Sequence, residues 1–169
     1  MKQLIQSYKT GKLEVVDVPA PTPRMNHIIV RLVASAVSLG TEKSMVELAR
    51  KGLVGKALAR PDLVKQVIAK ARNEGILEAW RQAMGRLDVP VALGYSAAGV
   101  VEEVGPGVEG FTKGDHVACA GQGFAGHAEA ISVPLNLCVK VPGDLDLESS
   151  AFVALGAIAL EAVRMARVA

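Results

Sequence analysis

Two cysteines, three histidines and two glycine-rich runs are the first places to look for chemistry in this chain. Cys119 and Cys138 are too far apart for a C-x-x-C pair, and no histidine stands at zinc-finger spacing from either. Each lies in an apolar, strand-like stretch (HVACA and NLCVKV), which predicts buried, reduced thiols. His27, His116 and His127 lie in or beside strand-like runs without a set of ligand partners, and read as ordinary hydrogen-bonded or solvated histidines.

The pattern G-x-G-x-x-G occurs twice, at Gly105-Pro-Gly107-Val-Glu-Gly110 and at Gly121-Gln-Gly123-Phe-Ala-Gly126. A dinucleotide fingerprint needs a strand before it and a helix after it, because the pyrophosphate rests on the helix N-terminus. Phe111 to Asp115 leads into another strand, and His127 to Pro134 is strand-like and short. Both runs therefore read as loops between strands, and no nucleotide-binding fold is expected within these residues.

The elements that must position these residues fall into three parts. Up to about Gly40 the chain reads as strands: Lys2 to Tyr8, Lys12 to Val18 after the Thr10-Gly11 turn, and Ile28 to Val37 after the extended Pro19-Pro21-Pro23 stretch. From about Glu42 to Leu87 it reads as helix. Pro61-Asp62 opens one helix, whose stripe is Leu63, Val64, Val67, Ile68 and Ala71, and Asn73 with Gly75 closes it. Ile76, Trp80, Ala83, Met84 and Leu87 make a second stripe, read as core or interface. From Pro90 to Val141 strands return, at Ala97 to Val104, Asp115 to Ala120, Ala128 to Val133 and Leu137 to Val141, with Gly and Pro at the turns. Leu147 to Leu155 and Gly156 to Arg167 read as two helical stretches with a break at Gly156.

Composition bounds the function. Of 169 residues, 50% are hydrophobic and 21% charged, which excludes a disordered chain. The net charge of +2 argues against a nucleic-acid binder. Residues 42–88 hold 10 basic and 6 acidic side chains, a local +4 that reads as a solvated helix face. The longest apolar run, Ala151 to Leu160, is too short to span a bilayer, and the N-terminus lacks the apolar core of a signal peptide. A reducing cytoplasm is the expected compartment.

The run Pro90-Val-Ala-Leu-Gly94-Tyr-Ser-Ala-Ala-Gly99-Val-Val-Glu-Glu-Val-Gly105, followed by Phe111-Thr-Lys-Gly114-Asp115-His-Val117, resembles the GroES-like catalytic domain of the medium-chain dehydrogenases/reductases. Pro21 to Leu32, Ser38-Leu-Gly-Thr-Glu42 and Gly126 to Pro134 support the match. The stretches around Ser38 to Ala49, Pro61 to Val67, Arg86 to Pro90, Pro134 to Pro142 and Gly156 to Leu160 look like one subgroup, in which such a half is fused to a glucose–fructose oxidoreductase or inositol dehydrogenase type of half.

The resemblance implies an α+β fold: a partly open GroES-like β-barrel with a helical insertion at about 42–88 and a C-terminal helical connector. The expected organisation is a substrate domain at 1–141 and a connector at 142–169, leading to a Rossmann domain in cis beyond Ala169. The family's zinc ligands fall on Leu39, Tyr95, Ser96 and the region of Ala154 or Leu155, none of which suits zinc, so no metal is expected. Thr41 matches the family's proton-relay Ser/Thr and Glu42 its acidic neighbour. Lys43 follows, and Tyr95 and Ser96 replace metal-site residues. Thr41, Glu42, Lys43, Tyr95 and Ser96 are thus the candidate site.

The implied activity is zinc-independent, NAD(P)-dependent oxidation or reduction of a small alcohol, carbonyl or sugar-type substrate by the whole enzyme. These residues alone would be inactive, and a homo-oligomer is compatible with the family. Two plainer readings stay open: Thr41-Glu42 capping the insertion's first helix, and Tyr95 packing under a cleft. The alternative in a different class is a non-enzymatic barrel that serves as an interaction module.

Overall fold

The computed structural model describes residues 1–8, 10–52, 55, 58, 61–78, 81, 85 and 89–167. Its contacts divide the chain into two compact units. One comprises Met1–Leu4, Val15–Val37 and Ala92–Ala169, and the other Ile5–Glu14 and Ser38–Val91.

The first unit is organised by a five-stranded antiparallel sheet. Its strands are β3 (His27–Ser35), β5 (Ser96–Val104), β6 (His116–Ala120), β7 (Ala130–Pro134) and β8 (Cys138–Lys140), in the order β7-β3-β5-β6-β8. The sheet curls into a half-barrel, as expected. Shifts in the β3–β5 register between Ile29 and Val30, and between Leu32 and Ala34, bend it. Its concave core gathers Ile28, Val30, Ala97, Val101, Val117, Cys119, Ile131 and Val133. These are the alternate positions of the β-branched runs, which is why those runs form strands and not helices. Gly99 stands opposite Leu32. A Cβ there would run into the Arg31 carbonyl, so β3 and β5 can approach this closely only at a glycine.

Three further strands, β1 (Lys2–Gln6), β2 (Leu13–Asp17) and β4 (Val91–Ala92), form a sheet in the order β2-β1-β4, and the division between units runs through them. The second unit contains helices α1 (Leu39–Arg50) and α2 (Pro61–Glu74). Asp62 occupies the first turn of α2, as read from the sequence, and Val64, Val67 and Ala71 are its half-buried side chains. The second stripe at Trp80, Ala83, Met84 and Leu87 lies outside the described residues.

Several boundaries differ from the sequence reading. The insertion's helix begins at Leu39 and not near Glu42, because Ser38 caps it: its hydroxyl accepts from Thr41 N–H at 3.4 Å, and the Glu42 carboxylate accepts from Ser38 N–H at 3.0 Å. At the other end the helical tail breaks at Ala151-Phe152, between α3 (Leu147–Ser150) and α4 (Val153–Met165). Gly156 lies inside α4, its N–H donating to the Phe152 carbonyl at 2.9 Å. Leu137 belongs to a 3-10 turn (Leu135–Leu137) that precedes β8. α3 is set against the sheet, with Ala151 buried among Ala98 and Ala118. No helix among the described residues is long and apolar enough to cross a membrane.

Candidate functional site

Tyr95 and Ser96 stand where the chain turns into β5. Gly94, immediately before them, has φ +93°, a backbone conformation that costs a side-chain-bearing residue about 1 kcal/mol or more. It is also crowded: a Cβ at Gly94 would lie 2.9 Å from the His127 nitrogen and 3.0 Å from its Cε1. The turn is pinned from the loop of the second glycine run. His127 N–H donates to the Leu93 carbonyl at 2.8 Å, and Gly121 N–H donates to the Tyr95 carbonyl at 2.8 Å. That run, like the one at Gly105, leads into a strand (β7 after the second, β6 after the first), so both glycine motifs are loops, in agreement with the sequence reading.

Tyr95 is half-buried. Ser96 is fully buried, and its hydroxyl is engaged twice: it donates to the Ala151 carbonyl at 2.6 Å and accepts from Ala154 N–H at 3.1 Å. Phe152, the residue that precedes α4, offers no side-chain cap, so Ser96 supplies it from across the fold. Its contribution to any site is to fix the strand on which Tyr95 sits.

Thr41, Glu42 and Lys43 lie together on the first turn of α1, in the other unit. Thr41 Oγ1 accepts from the Ser38 hydroxyl at 3.2 Å, and Glu42 closes the cap on Ser38 N–H. The capping reading of Thr41-Glu42 is thus realised through Ser38. Lys43 is exposed and sits 3.8 Å from Glu47, one turn on.

A pair outside the expected set completes the first unit's polar groups near Gly94. The Ser35 hydroxyl and His127 Nδ1 are 2.8 Å apart, joining β3 to the loop before β7. Ser35 and His127 are 92 positions apart. Local pattern offers one hint, a histidine next to the glycine run. His27, by contrast, bonds locally to the Met25 carbonyl.

Among the described residues no three His, Cys, Asp or Glu side chains converge as a metal-holding group. Leu39, Tyr95 and Ser96 offer no thiolate, imidazole or carboxylate, and Ser96 is already spoken for by backbone. The donor set does not fit a zinc ion.

Residues 63–143 match the family model described as alcohol dehydrogenase GroES-like domain. That stretch, just under half of the chain, is similar to the GroES-like domain of alcohol dehydrogenases. The 2-haloacrylate reductase of a Burkholderia species is 42% identical over 59 residues, which is 35% of this chain and 18% of that protein. Among solved structures, the quinone oxidoreductase of Coxiella burnetii superposes with a TM-score of 0.65 at 23% identity, covering 99% of this chain and 45% of its own. The Escherichia coli quinone oxidoreductase complexed with NADPH gives 0.59 at 18% identity, covering 89% and 36%. The chain therefore spans less than half the length of each. Within the matched residues, β5 to β8 and the Gly94-Tyr95 turn carry the sequence motif noted above.

Proposed function

We propose that this GroES-like domain is the substrate side of a zinc-independent, NAD(P)-dependent oxidoreductase that acts on a small, electron-poor C=O or C=C compound. The observation that carries the reading is the replacement chemistry in a family-matched half-barrel. Where a metal would polarise the substrate, this chain presents a half-buried phenol held on a pinned turn. The names of the similar proteins, a haloacrylate reductase and quinone oxidoreductases, one of them with NADPH, support reduction of an activated double bond.

The nucleotide is held by a Rossmann domain outside these residues and supplies hydride when bound. Tyr95 then serves as the hydrogen-bond and proton donor to the developing oxyanion, in place of a Lewis acid. In the other unit, Thr41 is the candidate proton relay at the start of α1, Glu42 holds that start through Ser38, and Lys43 is the candidate cation. Ser96 is a positioning residue. The hydrogen bonds from His127 N–H to the Leu93 carbonyl and from Gly121 N–H to the Tyr95 carbonyl fix the backbone on either side of the phenol.

The test is a Tyr95→Phe variant of the full-length protein, assayed for NAD(P)H-dependent reduction of quinones and 2-haloacrylate. A loss in kcat of about 10²-fold or more, with an unchanged thermal midpoint, is expected. An unchanged rate removes Tyr95 from the mechanism, and stoichiometric zinc in the purified active protein refutes the metal-free reading.

A further inference from the structure

Two thiols that the proposed reaction does not use face each other across adjacent strands. Cys119 on β6 and Cys138 on β8 are register partners, both free, with their Sγ atoms 3.8 Å apart. The ladder around them defines the kind of pair they form. Val141 N–H donates to the His116 carbonyl at 2.9 Å, so positions 116 and 141 are a hydrogen-bonded pair. Alternation then makes Ala118 and Val139 hydrogen-bonded, and Cys119 and Cys138 a non-hydrogen-bonded pair. In such pairs the Cα atoms approach to about 4.5 Å and the side chains are at their closest. That separation falls inside the ~4.4–6.8 Å Cα range of disulfides. Side-chain rotation, with the strands left in place, is enough to join them.

The two sulfurs are not equivalent. Cys119 is wholly buried in the half-barrel core, and its thiol is pushed up by the hydrogen bond with Cys138 and by burial. Cys138 is half-buried, with its sulfur also 3.5 Å from the Pro134 carbonyl. A small oxidant therefore meets Cys138 first, and Cys119 is placed to resolve it.

We propose that Cys119 and Cys138 are an oxidative modification site, converted by peroxide into a cross-strand disulfide. The Cys138 sulfur attacks one oxygen of hydrogen peroxide; the O–O bond breaks, giving a sulfenic acid at Cys138 and one water. The Cys119 sulfur then attacks the Cys138 sulfur; the S–S bond forms, the S–O bond breaks, and the thiol proton leaves with hydroxide as a second water. In sum, two thiols lose two electrons and two protons, and one peroxide is reduced to two waters. The new bond ties β6 to β8 and closes a loop that contains Gly121 and His127, the two residues whose N–H groups pin the Leu93–Tyr95 turn. This inference stands apart from the oxidoreductase reading, since it rests on the strand register and needs neither nucleotide nor substrate.

The test treats full-length protein with hydrogen peroxide, blocks remaining thiols under denaturing conditions, and digests after glutamate. Cleavage at Glu109, Glu129 and Glu148 puts Cys119 and Cys138 on separate peptides. The expected product is these two peptides covalently joined within a monomer, lighter by two hydrogen atoms and separated again by a thiol reductant. A Cys138→Ser variant is expected to lose the link and to leave Cys119 unmodified by the same dose. A sulfinic acid at Cys138, or a Cys138–Cys138 dimer, with Cys119 still free for alkylation, overturns the proposal.

Discussion

The Ser96 hydroxyl donates to the Ala151 carbonyl at 2.6 Å and, through the same oxygen, receives the N–H of Ala154, so one buried side chain on β5 both ends α3 and starts α4. Ser96→Ala removes a donor and leaves a buried N–H without its acceptor. A loss of about 1–3 kcal/mol in unfolding free energy is expected, read by denaturant titration. A change below about 0.5 kcal/mol, the level of an ordinary surface substitution, contradicts the capping role.

That hydrogen bond also shows where the sequence stops being legible. The half-barrel strands and their turns follow from local alternation and from glycines, and α2 from its Pro61-Asp62 start, because each of these signals lies within the element it describes. The break at Ala151-Phe152 depends on a partner 55 positions upstream, so pattern alone put it at Gly156, the residue with the weakest helix propensity nearby. The start of α1 was missed by a few residues because its cap is Ser38, which reads as the end of a strand run until its hydroxyl is seen on Thr41 N–H. Of the candidate site, Tyr95 and the Thr41-Glu42-Lys43 turn enter through motif resemblance alone. The Ser35–His127 pair was not, since β3 and the loop before β7 meet only in three dimensions.

Two glycines separate backbone need from propensity. Gly156 lies exposed within α4, and a Cβ there meets nothing within 4 Å. Gly156→Ala is expected to stabilise the chain by about 0.5–1 kcal/mol. Gly94→Ala is expected to destabilise by more than about 1 kcal/mol, because φ +93° and the approach of the His127 nitrogen both oppose a side chain. Thermal midpoints moving in the same direction for the two variants would contradict this assignment.

Lys43 offers a clean division between stability and chemistry. Its 3.8 Å approach to Glu47 is an exposed, one-turn pair, worth no more than about 0.5 kcal/mol. Lys43→Met is therefore expected to leave the thermal midpoint nearly unchanged. A drop in kcat of the full-length protein would then report the charge itself, whereas an unchanged kcat removes Lys43 from the proposed site.

Acid should loosen the first unit through two carboxylates held below their ordinary range of about 3.8. Asp115 is lowered first by its hydrogen bond with Lys140, at 2.8 Å, and next by the Thr112 N–H, tying the turn before β6 to β8. Asp146 is lowered by the Ser149 N–H that it caps at 2.7 Å, at the start of α3. In each case the folded chain holds the proton more weakly than the unfolded one. The stabilisation is thus fully present above the unfolded value near 3.8 and is lost as pH falls through the lower folded values. Asp115→Asn and Asp146→Asn are each expected to lower stability at neutral pH and to flatten its fall below about pH 4, measured by denaturant titration across pH. An acid slope identical to that of the parent chain would show that these carboxylates bind protons equally in both states, and that the ties to Lys140 and Ser149 do not persist in solution.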